Sequence, residues 1–110
     1  MDTDRLNLLQ GTLDVLVLQA LANGPLHGYA VSRFVRDRTR GTLQIEDAPL
    51  YKALHRLEAR GHVASEWGLS ENNRRAKYYE LTTEGRKQLR TEAATWRTYA
   101  EAVFKVLEPT

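Results

Sequence analysis

The 110-residue sequence contains no cysteine and a single methionine. Without thiols there is no disulfide framework, no thiolate metal site and no cysteine nucleophile. Histidine is scarce as well. His27, His55 and His62 form no His-x-x-x-His pair, and no acid stands at the spacing that completes a zinc site. Asp14 and Gln19 break the longest apolar stretch, so nothing is expected to span a membrane. The N-terminus lacks the basic-then-apolar layout of a secretory signal, which predicts a cytoplasmic location. No glycine-rich phosphate loop is present, because Gly24-Pro25-Leu26-His27-Gly28 reads as a turn between helices. Repeats and low-complexity tracts are absent. These gaps argue against a hydrolase or transferase site, so the expectation is a non-enzymatic protein without a cofactor. The length fits one domain with a modest core.

Charge is present in quantity but nearly cancels: 16 Lys+Arg against 14 Asp+Glu leave +2. Its distribution is more telling. The span from Arg33 to Lys77 holds ten basic and six acidic residues, a net of +4, while the two flanks together carry −2. A basic centre between acidic ends suits a nucleic-acid face, although an ordinary solvated surface would show it too.

Apolar periodicity orders the chain. Leu6, Leu9, Leu13, Leu16, Val17, Ala20 and Leu21 recur at helical spacing, which predicts a first helix over about residues 5–22. Asn23-Gly24-Pro25 ends it. Leu8, Val15 and Leu18 form a second stripe on the far side of that helix and need another partner. A second helix is expected from Gly28 to Arg38. A third follows, capped by Asp47, with Pro49 in its first turn and Leu50, Leu54 and Leu57 turned inward. After Gly61 the period shortens to that of strands. His62 to Leu69 and Lys77 to Leu81, around a polar Ser70-Glu71-Asn72-Asn73 tip, predict a hairpin. Thr82 or Thr83 then caps a last helix over about residues 83–107. The predicted fold is mainly α with a small β-hairpin: a winged helix-turn-helix over residues 1–82 and a long C-terminal dimerisation helix over 83–110.

With its leucines inward, the third helix turns Ala48, Lys52, His55, Arg56 and Ala59 outward, and Tyr51 lies on the border. Cations for phosphates or guanine edges, a histidine and small residues suit a major groove. Lys52, His55 and Arg56 are candidates for reading bases or nearby phosphates, with Tyr51 bracing the helix against the DNA backbone. Arg33, Arg36, Arg74, Arg75 and Lys77 are candidates for positioning on phosphates, the last three from the hairpin. The hairpin's Trp67 is expected to cover the core beneath it. Tyr78 and Tyr79, as strand neighbours, should face opposite ways. Gly85 should permit close packing of the last helix on the hairpin. The alternative is a winged-helix protein–protein module with no DNA site.

Several segments resemble the PadR-type transcriptional regulators: Leu9-Gln10-Gly11-Thr12-Leu13, His27-Gly28-Tyr29, Leu50 to Glu58, Gly61, and Lys77 to Gly85 with its Tyr-Tyr-Glu-Leu-Thr run. The resemblance covers nearly the whole chain. It implies a dimeric winged-helix repressor with the third helix as recognition helix, the hairpin as wing and the last helix as dimerisation arm. One helix after the wing resembles the short members of the family. Two departures from the pattern matter. Ala48-Pro49 stand where the family often has Gly-Ser or Gly-Thr, and Lys52 where it often has Pro. The operator sequence therefore cannot be borrowed from relatives.

On the last helix Leu89, Trp96 and Val103 recur every seven residues, flanked by Tyr99, Ala100 and Leu107. With Leu8, Val15 and Leu18 these are the candidate dimer interface, and the partner expected is a second copy. Two-fold symmetry then pairs two recognition helices with a pseudo-palindromic site on double-stranded DNA. Trp96 has two readings. It packs the dimer, or, as in family members that resemble multidrug sensors, it helps bind a small flat aromatic effector together with Tyr99.

Overall fold

Apolar residues at helical spacing bring three short helices around one core, and the computed structural model describes this arrangement over residues 11–109. α1 spans Leu13–Ala20, α2 Gly28–Arg38 and α3 Asp47–Ala59. Val17, Leu18, Leu21, Val31, Leu50 and Leu54 are fully buried where these helices meet. The part of the expected first helix before Gly11, with Leu8 of the interface set, lies outside the described residues. Within them α1 is shorter than expected, because Gly11 takes a φ of +84° and stands outside the helix.

Two local expectations change. Glu46, not Asp47, occupies the N-cap position of α3; Asp47 is the first helical residue, where its carboxylate faces the positive end of the helix dipole. The turn before α2 also contains a two-residue strand, β1 (Leu26–His27). β2 (Val63–Leu69) and β3 (Arg75–Leu81) form the wing, and β1 pairs with the outer side of β3. The sheet is antiparallel in the order β1-β3-β2, with Leu26 opposite Tyr79 and Val63 opposite Leu81. Tyr79 is buried and Tyr78 faces away, donating its hydroxyl to the Leu69 carbonyl at 2.7 Å.

α4 runs from Thr83 to Leu107, as the periodicity predicts. Thr82 caps it by accepting from the Gly85 amide at 3.0 Å, and donates its own hydroxyl to the Gly61 carbonyl at 2.6 Å. A side chain at position 85 would run into the backbone carbonyl of His62, so only glycine lets α4 start this close to the wing. The first half of α4 lies on α1, and Arg86 donates to the Ala22 carbonyl at 3.2 Å. From Glu101 to Leu107 every residue is exposed. Among the described residues, no helix is long and apolar enough to cross a membrane.

The second apolar stripe of α1 is corrected by this packing. Leu18 has no exposed surface and belongs to the core, so it cannot contribute to a dimer interface. Val15 is buried and lines a cleft between α1 and α4 of its own chain. Leu89 also packs against the core. The apolar surface left free on α4 therefore begins near Trp96.

Candidate nucleic-acid interface

α3 owes its orientation to a leucine stripe that buries Leu50, Leu54 and Leu57 and leaves Tyr51, Lys52 and His55 exposed. The acid on the edge of that arc, Glu58, turns away and accepts from the Ser65 hydroxyl at the base of the wing. Arg56 is committed elsewhere. Its guanidinium forms a bidentate contact with Asp14 of α1, and Arg60 reaches the same carboxylate at 3.6 Å. The Asp14 hydrogen bond raises the Arg56 pKa above the ordinary guanidinium value, against the opposing effect of burial. Arg56, expected among the base readers, is thus a strut between the end of α3 and the start of α1. The pair gives each helix a favourable charge: Asp14 is an acid in the first turn of α1, and Arg56 a base in the last turn of α3.

Tyr51 seats against the start of α2. A Cβ at Gly28 would lie 2.6 Å from the Tyr51 hydroxyl oxygen, so the glycine makes room for the ring. His27 caps α2 by accepting from the Ala30 amide at 3.2 Å through Nδ1, while its Nε2 stands 3.6 Å from Glu71 at the wing tip. A backbone hydrogen bond within its own residue, and then His27, hold the Glu71 carboxylate below the usual range despite some desolvation. His27 therefore ties three parts together: the α2 N-terminus, the edge strand β1 and the hairpin tip.

Cations line the rest of the face. On α2, Arg33 lies over the ring of Tyr29 at 5.6 Å, and Arg36 continues the same side of the helix, with its Nε 3.4 Å from Asp37. At the tip, Asn73 takes a φ of +60°, a left-handed conformation asparagine tolerates, and the turn presents Arg74 to solvent. Arg75 and Lys77 are not at the tip. They lie on the inner face of the wing around Trp67, which is 55% exposed rather than a cover for the core. The structure thus brings together Tyr51, Arg75 and Lys77 around one cleft, with Arg33 stacked on Tyr29 beside it, Lys52 and His55 exposed on α3 and Arg74 at the tip beyond. Tyr29, His27 and Trp67 belong to this region, although none of them is expected on the DNA face from the sequence and Trp67 is expected to cover the core. The His-Gly-Tyr motif was visible, but its role depends on β1, which is too short to announce itself.

The fold and this face have counterparts among known proteins. The model of the PadR-like family of transcriptional regulators matches residues 17–91. The chain belongs to that family. A transcriptional regulator from Clostridium thermocellum superposes with a TM-score of 0.81 at 30% identity, covering 90% of this chain and 93% of that one. A PadR family regulator from Eggerthella lenta gives 0.76 at 38% identity, covering 92% and 86%. In sequence, an uncharacterized protein of Lysinibacillus sphaericus is 27% identical over 94% of this chain and 95% of its own length. A PadR-family chain with this architecture is a DNA-binding regulator of transcription and not an enzyme.

Proposed function

We propose that this PadR-family chain is a cytoplasmic, homodimeric, sequence-specific repressor that occupies a pseudo-palindromic operator. The observation that carries the reading is one face shared by three elements: exposed Lys52 and His55 on α3, Arg33 on α2, and Arg74 and Arg75 on the wing, with half-buried Lys77 beside them. α3 enters the major groove, where Lys52 and His55 reach base edges or the adjoining phosphates. Tyr51 holds the backbone beside the groove. The wing follows the neighbouring strand, with Arg74 at its tip free to approach the minor groove. Arg36 extends the phosphate track along α2. Arg56 acts indirectly, by fixing the angle of α3.

A second copy docks along the outer half of α4 through Trp96, Tyr99, Ala100, Val103 and Leu107, and sets the two recognition helices about 34 Å apart. Effector release is the finer part of the proposal. Val15, Leu16, Trp96, Ala100 and Phe104 line an apolar cleft of about 430 Å³ between α1 and α4. Trp96 meets Tyr99 edge-on at 5.5 Å, and a flat apolar ligand would compete for that aromatic surface. Because α1 also carries Asp14, a ligand that shifts α1 would move the strut to α3.

The test is selection of duplexes from a random pool by the purified protein, then titration at several salt concentrations. A dimer touching roughly 6–10 phosphates loses about three to five decades of affinity between 50 and 200 mM salt. Failure to recover any preferred duplex, or salt-independent binding, overturns the DNA reading and leaves a protein-interaction module. Quenching of Trp96 by a planar cationic dye, with loss of DNA affinity, tests the effector.

A further inference from the structure

Trp67 lies on β2 opposite Lys77, and the next inward-facing pair beyond it is Leu69 with Arg75. Strand alternation puts Val63, Ser65 and Trp67 on the face that also holds Tyr79 and Leu81, the face turned to the core. Val63 and Tyr79 are buried there. Trp67 extends past the edge of the core and leaves more than half of a large indole in solvent. The Arg75 guanidinium lies over the ring at 4.2 Å, and the Lys77 ammonium stands 6.0 Å from its centre. With Tyr51 and Tyr29 opposite, the indole walls a cleft of about 410 Å³ between the wing and the starts of α2 and α3. Among the described residues its lining includes Arg75 and Lys77 and no carboxylate.

The chemistry of this cleft is mixed in a particular way. A lone anion would use the cations but has no need of the indole. An apolar ligand would use the rings but would leave two cations facing it. A nucleic-acid strand offers both, since apolar deoxyribose faces alternate with phosphates along it. Cation–π contact with the indole also restrains Arg75, so less freedom is lost when it meets a phosphate.

We propose that Trp67 is a DNA-contact residue of the wing. Its indole packs on a deoxyribose of the strand that runs between the groove entered by α3 and the groove followed by the wing. Arg75 and Lys77 take the phosphates on either side. The assignment rests on the DNA reading given above and adds an apolar contact to a face otherwise described by charge.

Trp67→Ala should weaken binding of a fluorescein-labelled duplex, selected beforehand by the wild-type protein, by roughly tenfold or more. The salt slope should stay the same, because no cation is lost. Arg75→Gln should instead lower the slope by about two for a dimer. Trp67→Phe should recover most of the affinity. Unlabelled duplex should change the intrinsic tryptophan emission of wild type, and that change should vanish in Trp67→Phe. Wild-type affinity in Trp67→Ala, or an emission change that survives in Trp67→Phe, overturns the assignment. If Lys52→Ala loses affinity while Trp67→Ala does not, the assignment fails and the DNA reading stands. If the wild type selects no duplex, both fail.

Discussion

Asp14 sits in a run of leucines and valines, a poor place for a carboxylate unless something offsets its charge. Arg56 and Arg60 do so from one side of α3. Arg56 is more than a third exposed, so solvent screens the pair and its contribution is modest. Asp14→Ala should cost about 1 kcal/mol of stability, read as a fall of roughly 4 °C in Tm. A double-mutant cycle with Arg56→Ala should show coupling near that size, and strictly additive effects would refute the strut. A second residue with a measurable signature is Tyr79. Burial, then the charge on Glu58, then Tyr51, raise its pKa above the ordinary tyrosine value. The folded chain thus holds this proton more tightly than the unfolded one. That contribution to stability is complete below about pH 10 and is lost as pH rises through the raised folded value. Tyr79→Phe should be less sensitive to alkali than wild type. Thermal denaturation between pH 8 and 11 checks this, and parallel curves for the two proteins would contradict it.

At the scale of elements, α4 shows how tightly the parts are joined. Its first turn is fixed by Thr82, which reaches both Gly85 and Gly61, and by the absence of a side chain at Gly85. The atom in the way of any Cβ is a backbone carbonyl, which cannot step aside as a long side chain would. Gly85→Ala should therefore cost about 3 kcal/mol, near the upper end for overpacking, while an exposed control such as Thr91→Ala should change little. Urea denaturation distinguishes the two. α2 and α4 were legible in the sequence to the residue, because clear stop signals bound their periodic stripes. The N-terminal side of α1 was not, since leucine spacing continues through Gly11 although the backbone does not. β1 was missed because two residues carry no periodicity, and their pairing with β3 is a tertiary event. The basic arc of α3 was legible from its inward leucines. Arg56 was placed in it because spacing alone cannot show that Asp14, forty-two positions earlier, claims its guanidinium. Trp67 was misjudged for a related reason. It does lie on the core-facing side of β2, but a strand pattern does not show the point along the strand where the core ends.

On the scale of the whole molecule, the long axis measures 55 Å against 21 Å for the shortest, and the 25-residue α4 accounts for much of that shape. A helix of that length spans about 37 Å, well beyond what covering α1 requires. Its outer half exposes Tyr99, Val103, Phe104, Val106 and Leu107 together. An apolar surface of this kind on an isolated helix end is costly in water, and a second copy offers the same stripe in return. The proposed dimer would also resolve the small net charge, since two basic faces carried on one frame would meet DNA together. Charges placed within the stripe should separate the copies without touching the winged domain. Val103→Glu with Leu107→Glu should convert a dimer at micromolar concentration to a monomer in sedimentation velocity, while the circular dichroism changes little. DNA affinity should then fall by at least about a hundredfold, because each half-site must be bound separately and the effective concentration provided by the partner is lost. A variant that stays dimeric, or a monomer that binds the full operator as tightly as wild type, would remove α4 from the assembly and leave its exposed rings to another partner.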